Sequence, residues 1–112
     1  MSGESPIFTQ TYDLLRWLLP LVAQLPREHR GGLARRIPET AFQFQHLLIA
    51  ATKQPAQTAA LLREADSALG ELRLLLRLAR DLQILAFKPY EEGARRTSAL
   101  GRLLGGWLRA LE

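Results

Sequence analysis

Arginine is the residue type on which any chemistry in this chain rests. Of its 15 basic residues 13 are arginine, the side chain whose planar fork matches phosphate and carboxylate oxygens. With Leu72 set at zero on a helix of about 100° per residue, Arg73, Arg77 and Arg80 fall between roughly 80° and 140°. They form a single ridge at spacing i, i+4, i+7. Arg73, Arg80 and Arg102 have no acid three or four residues away, and Arg77 has only Asp81 in the less favourable basic-first order. A second cluster, Arg27, Arg30, Arg35 and Arg36, surrounds the start of the second helical segment, where positive charge opposes the helix dipole. Charge that costs stability and lacks a local partner points to an external anion, either nucleic-acid phosphate or an acidic protein surface, or else to distant acids within the bundle. Arg16 with Asp13, Arg63 with Asp66, Arg95 with Glu91 and Arg96 with Glu92 are expected instead to form local surface pairs.

Other chemistry is sparse. His29 and His46 lie apart with no carboxylate at metal-ligand spacing, and there is no cysteine, so no metal or cofactor is expected. Phosphate-cradling GxxxxGK[ST] and GxSxG are both missing, and Ser2, Ser5, Ser67 and Ser98 have no local catalytic signature. The expectation is a protein that is not an enzyme. Trp17 and Trp107 read as core or interface anchors, although an aromatic beside a basic ridge can stack on a base.

Positioning the ridge falls to helices, because the 3.6-residue period runs through nearly the whole chain and no segment alternates with period two. The chain is predicted to be all-α, a single domain over residues 1–112 folded as an antiparallel up-and-down four-helix bundle. The first helix starts near Ser5-Pro6 and runs to the Leu25-Pro26 break, with Pro20 as a bend. The second becomes helical by ETAFQFQHLLIAAT, with Pro38 as a kink or late restart. The third covers Ala56 to Ile84, and after a Phe87-Lys88-Pro89 connection the fourth covers Tyr90 to Leu111. Gly101, Gly105 and Gly106 weaken this last helix and are expected to allow close helix approach.

On the third helix Leu61, Ala65, Ala68, Leu69, Leu76 and Ala79 lie within about 60° of Leu72 and form the core stripe. Leu74, Leu78 and Leu85 fall at about 200° to 240°, and Leu75 and Leu82 bridge back, so the apolar arc approaches 240°. A one-sided helix needs only about 100°. The surplus strip of Leu74, Leu78 and Leu85 is therefore assigned to contact between subunits of a homo-oligomer.

The segments IFTQTYDLLRWLLPLVAQLPREHR, LLREADSALGELRLLLRLARDLQIL and GRLLGGWLRAL resemble the Avd family, the accessory variability determinants of diversity-generating retroelements. The resemblance spans nearly the whole chain and is most specific in YDLLRWLLP (Tyr12 to Pro20), LRLLLRLARDL and GRLLGGWL. It implies a four-helix protomer assembled into a pentameric barrel with a basic surface and no catalytic residues of its own. It also implies partnership with the retroelement reverse transcriptase in making error-prone cDNA from a template-repeat RNA, the step that leads to mutagenic retrohoming. Four-helix-bundle proteins encoded in ribosomal-RNA intervening sequences share the pattern less closely. Pro38 and Gly31-Gly32 depart from the continuous second helix expected of the family.

Two alternatives stand beside this reading: a protein-only helical adaptor whose arginines meet acidic protein surface, and a peripheral membrane binder using a basic amphipathic helix. A net charge of +4 and a sequence pI near 10.3 favour acidic partners. No apolar run approaches the ~18 to 20 residues of a membrane span and the N-terminus lacks a signal-peptide pattern, so a cytoplasmic protein is expected.

Overall fold

Ser5 sits at the N-cap of the first helix and Pro6 opens it, α1 (Pro6–Ala23). The computed structural model describes residues 5–26, 28 and 32–112. The remaining helices are α2 (Leu33–Lys53), α3 (Thr58–Asp81) and α4 (Phe87–Ala110), with a short 3₁₀ turn at Pro55–Gln57 before α3. No strand occurs among the described residues.

Side-chain contacts fix the helix directions. Phe8, early in α1, packs edge-on against Trp107, late in α4, with ring centroids 6.1 Å apart, while Trp17 near the end of α1 meets Gly93 near the start of α4. Leu76 also meets Gly93, and Leu69 meets Gly101, so α3 and α4 run in opposite senses. Arg36 and Thr40 of α2 reach Glu71 of α3, and Thr58 at the start of α3 donates to the Ala51 carbonyl near the end of α2. Each helix packs on its sequence neighbours and α4 closes on α1. That is the up-and-down arrangement expected of amphipathic helices joined by short connections.

The shared core contains Leu14 and Leu18 of α1, Phe44 and Leu48 of α2, Leu72 and Leu76 of α3, and Leu100 and Leu104 of α4, all essentially inaccessible. The buried threonines sit among these side chains without an open donor. Thr11 donates to the Ile7 carbonyl and Thr97 to the Gly93 carbonyl, so each hydroxyl is satisfied by its own helix.

Three features differ from the sequence expectation. Of the kink and the late restart expected at Pro38, the late restart does not occur: α2 starts at Leu33 and runs through the proline, which removes one donor. Phe87, Lys88 and Pro89 are the first turn of α4 rather than a connection. Proline is tolerated there because the first four N–H groups of a helix have no partner within it, and the first intrahelical donor, Tyr90 N–H to the Ala86 carbonyl, follows directly. The glycine that permits close approach is Gly93, where an added Cβ would lie 3.0 Å from Leu76 Cδ1 and 3.4 Å from Trp17. Gly101 makes only ordinary contact with Leu69, and Gly105 and Gly106 face the Arg109 side chain.

The end of α3 corrects a further expectation. Gln83 adopts φ 62°, Ile84 N–H bonds the Ala79 carbonyl and Gln83 N–H the Arg80 carbonyl. These are the two bonds of a Schellman ending, built here on glutamine instead of the usual glycine. Helical angles cease to apply beyond this turn. Leu85 swings into the core at 5% exposure and does not belong to the outward strip, whereas Leu82 is 57% exposed.

Candidate nucleic-acid interface

The buried positions of α3 are Leu62, Ala65, Leu69, Leu72, Leu76 and Ala79, an arc of about 100°. The arginine ridge flanks this arc on the side facing α4, because Leu69 and Leu76 on the same side meet Gly101 and Gly93. On the outward face Leu74 and Leu78 remain 62% and 44% exposed, so two of the three expected strip leucines are exposed and Leu85 is not.

The three ridge arginines are not equivalent. Arg73 is exposed and has no carboxylate in ion-pair range among the described residues. Arg77 Nε stands 3.9 Å from Asp81, at the outer limit of an ion pair. Arg80 donates to Asp81 through Nη2 at 2.8 Å and Nε at 3.0 Å, and its guanidinium lies 4.4 Å from the centre of the Tyr90 ring. The hydrogen bond to Asp81 raises the Arg80 pKa against an opposing effect of burial, with the charges of Asp81 and Tyr90 adding to it. Spacing rules that consider only i+3 and i+4 overlook this adjacent-residue pair.

Of the second cluster, Arg27 and Arg30 lie outside the described residues. Arg35 pairs with Glu39 at 3.1 Å, and Arg36 pairs with Glu71 at 2.7 Å, where Thr40 also donates. Exposed pairs of this kind contribute only about 0.2–1 kcal/mol, so both arginines can exchange a carboxylate for another anion. Within the fold the Arg36 pair joins the outer edges of α2 and α3, whereas the Arg35 pair lies within α2.

Among the expected local pairs, Arg96 approaches Glu92 at 2.7 Å, but Arg95 takes Glu92 rather than Glu91. Neither Arg16–Asp13 nor Arg63–Asp66 forms an ion pair. Arg96 Nε has no aligned hydrogen-bond acceptor despite its proximity to Glu92, and the guanidinium lies over Trp17, 5.4 Å from the ring centre. The hydrogen bond from Arg95 holds the Glu92 carboxyl below the usual value of 4.5, burial opposes the shift, and the charges of Arg95 and Arg96 reinforce it. A depressed carboxyl stabilises the fold above its unfolded value and loses that contribution as pH falls through the lower folded value. The Tm advantage of the native chain over Glu92→Gln should therefore shrink as pH is lowered from 7 toward 3, measured by circular dichroism.

A groove between α3 and α4 escaped sequence reasoning. It is lined by Arg73, Ser98, Gly101, Arg102, Gly105 and Arg109. A second hollow, lined by Gly70, Arg73, Leu74, Arg77 and Tyr90, shares Arg73 with it. Arg102 was recognisable from its missing acid; Arg109 lies seven residues further along the same face of α4, and it is Arg73 of α3 that helix packing brings to them. His46 is exposed and His29 lies outside the described residues; no three metal-binding side chains come together among those described. No described helix is long and apolar enough to cross a membrane.

A family model described as bAvd-like matches the chain over residues 7–111. No curated protein matches it.

Proposed function

The chain belongs to the bAvd-like family, and from that premise we propose that it is a non-enzymatic accessory protein of a diversity-generating retroelement. In this role it binds the element's reverse transcriptase and, through arginine, the phosphates of template-repeat RNA or its cDNA. The family match across all four helices carries the reading. The exposed arginines along α3 and α4 supply charge for phosphate contacts, which confer affinity without base preference. The protein works as a homo-oligomer, a pentamer as in the Avd resemblance, with Leu74 and Leu78 meeting a neighbouring copy. Its place of action is the cytoplasm.

Co-expression with the reverse transcriptase of the same element should yield one complex that survives size-exclusion chromatography. Separate elution of the two proteins at micromolar concentration would overturn the accessory role.

A protein-only adaptor is the second reading. It draws on Arg35, Arg36 and Arg80, each of which already holds a carboxylate in this fold, as each would on an acidic partner surface. Retention of reverse transcriptase together with no RNA binding would select it.

A further inference from the structure

Positive charge is unevenly compensated on this protein. Arg35, Arg36, Arg77, Arg80, Arg95 and Arg96 each have a carboxylate within 4.0 Å. Arg16, Arg63, Arg73, Arg102 and Arg109 have none among the described residues, and of these Arg73, Arg102 and Arg109 line one open groove of about 560 Å³. Three like charges on a shared groove repel one another, and here no acid from α3 or α4 relieves the repulsion.

The groove is also shaped for close approach. Gly101 and Gly105 form part of its lining on α4. An added Cβ at Gly105 would come 3.3 Å from Arg109 Nη1, so the absence of a side chain there lets the Arg109 guanidinium fold back along its own helix toward Arg102. Arg73 then links this groove to the hollow containing Arg77 and Tyr90. Tyr90 and Arg109 are nineteen residues apart on α4, a rise of about 28 Å, comparable with roughly eight stacked nucleotides at 3.4 Å each.

The geometry points to the furrow between α3 and α4 as a track for the sugar-phosphate backbone of a single RNA strand, with Arg102 and Arg109 forming the α4 bank opposite Arg73 and Arg77. The inference rests on the nucleic-acid half of the proposed function and locates it. Ser98 adds a neutral hydroxyl, while the lining offers no amide or carboxylate side chain to read base edges. Such a track holds a strand in register without selecting sequence, as suits a template-handling protein.

The test measures fluorescence anisotropy of a labelled twelve-nucleotide oligouridylate RNA with the full-length chain. Arg102→Gln/Arg109→Gln should weaken binding about tenfold and lower the log-log salt slope by about 1.4, at roughly 0.7 per phosphate contact on a single strand. Arg16→Gln/Arg63→Gln removes the same charge from outside the furrow and should change affinity less than about threefold. Gly105→Leu, which displaces the Arg109 guanidinium while preserving net charge, should also weaken binding; circular dichroism monitors folding of every variant. Equal losses in the two arginine pairs would overturn the track in favour of diffuse charge. So would native RNA affinity in the Arg102/Arg109 variant, and if that variant lost reverse transcriptase instead, the furrow would be a protein-docking surface. Absence of RNA binding by the native chain would overturn the nucleic-acid half of the proposed function itself, and the track with it.

Discussion

Replacing Leu74 and Leu78 together by glutamine is expected to convert the proposed oligomer into monomers of 12.6 kDa without unfolding them. Both side chains are largely exposed in the protomer, at 62% and 44%, so the core loses nothing and the change in protomer stability should stay within about 0.5 kcal/mol. In the proposed assembly the exposed part of each side chain would be buried, contributing part of the about 1.5–3 kcal/mol that complete burial of a leucine gives. The loss would recur at every subunit contact of the proposed ring. Glutamine leaves net charge unaltered, so effects of the Arg73 and Arg77 charges remain separate from those of assembly. Multi-angle light scattering should give a native mass near five chains and a variant mass of one. A native mass of one chain over a wide concentration range would refute the assignment of this strip to a subunit interface.

Helix number and order were legible because burial on one side imposes a 3.6-residue period, and the core arc of α3 follows it from Leu62 to Ala79. The ends were harder to read for identifiable physical reasons. α3 gives way at Gln83 to a left-handed turn that ordinarily calls for glycine, so periodicity alone carries the helix to Ile84 and puts Leu85 on the outer face. Pro89 resembles a helix breaker in sequence, yet it occupies a first turn where its missing N–H costs no intrahelical bond. Pro38 has the opposite character, since α2 extends on both sides of it.

The candidate site was legible only in its local half. Arg73 and Arg77 follow from one helix and its angles, and both are exposed. Arg80 was expected to lack a local acid, but the adjacent Asp81 and the Tyr90 ring engage it. Arg36 finds Glu71 thirty-five residues away, a pairing that spacing within one helix cannot reveal. Arg73 meets Arg102 and Arg109 for the same reason, because α3 packs against the α4 face that carries both.

The central claim is that exposed arginine binds nucleic acid through phosphate, and the salt dependence of affinity tests it most directly. Cations displaced from a single strand give a log-log slope of about −0.7 per phosphate neutralised. Four arginines, Arg73, Arg77, Arg102 and Arg109, line the two linked grooves, which sets an expected slope of about −2.8. Raising salt from about 50 to 200 mM should then weaken binding of a twelve-nucleotide single-stranded RNA by about fiftyfold. The expected result is a straight line of that slope for the native chain. A slope near zero would contradict phosphate binding and leave the arginines to a protein partner.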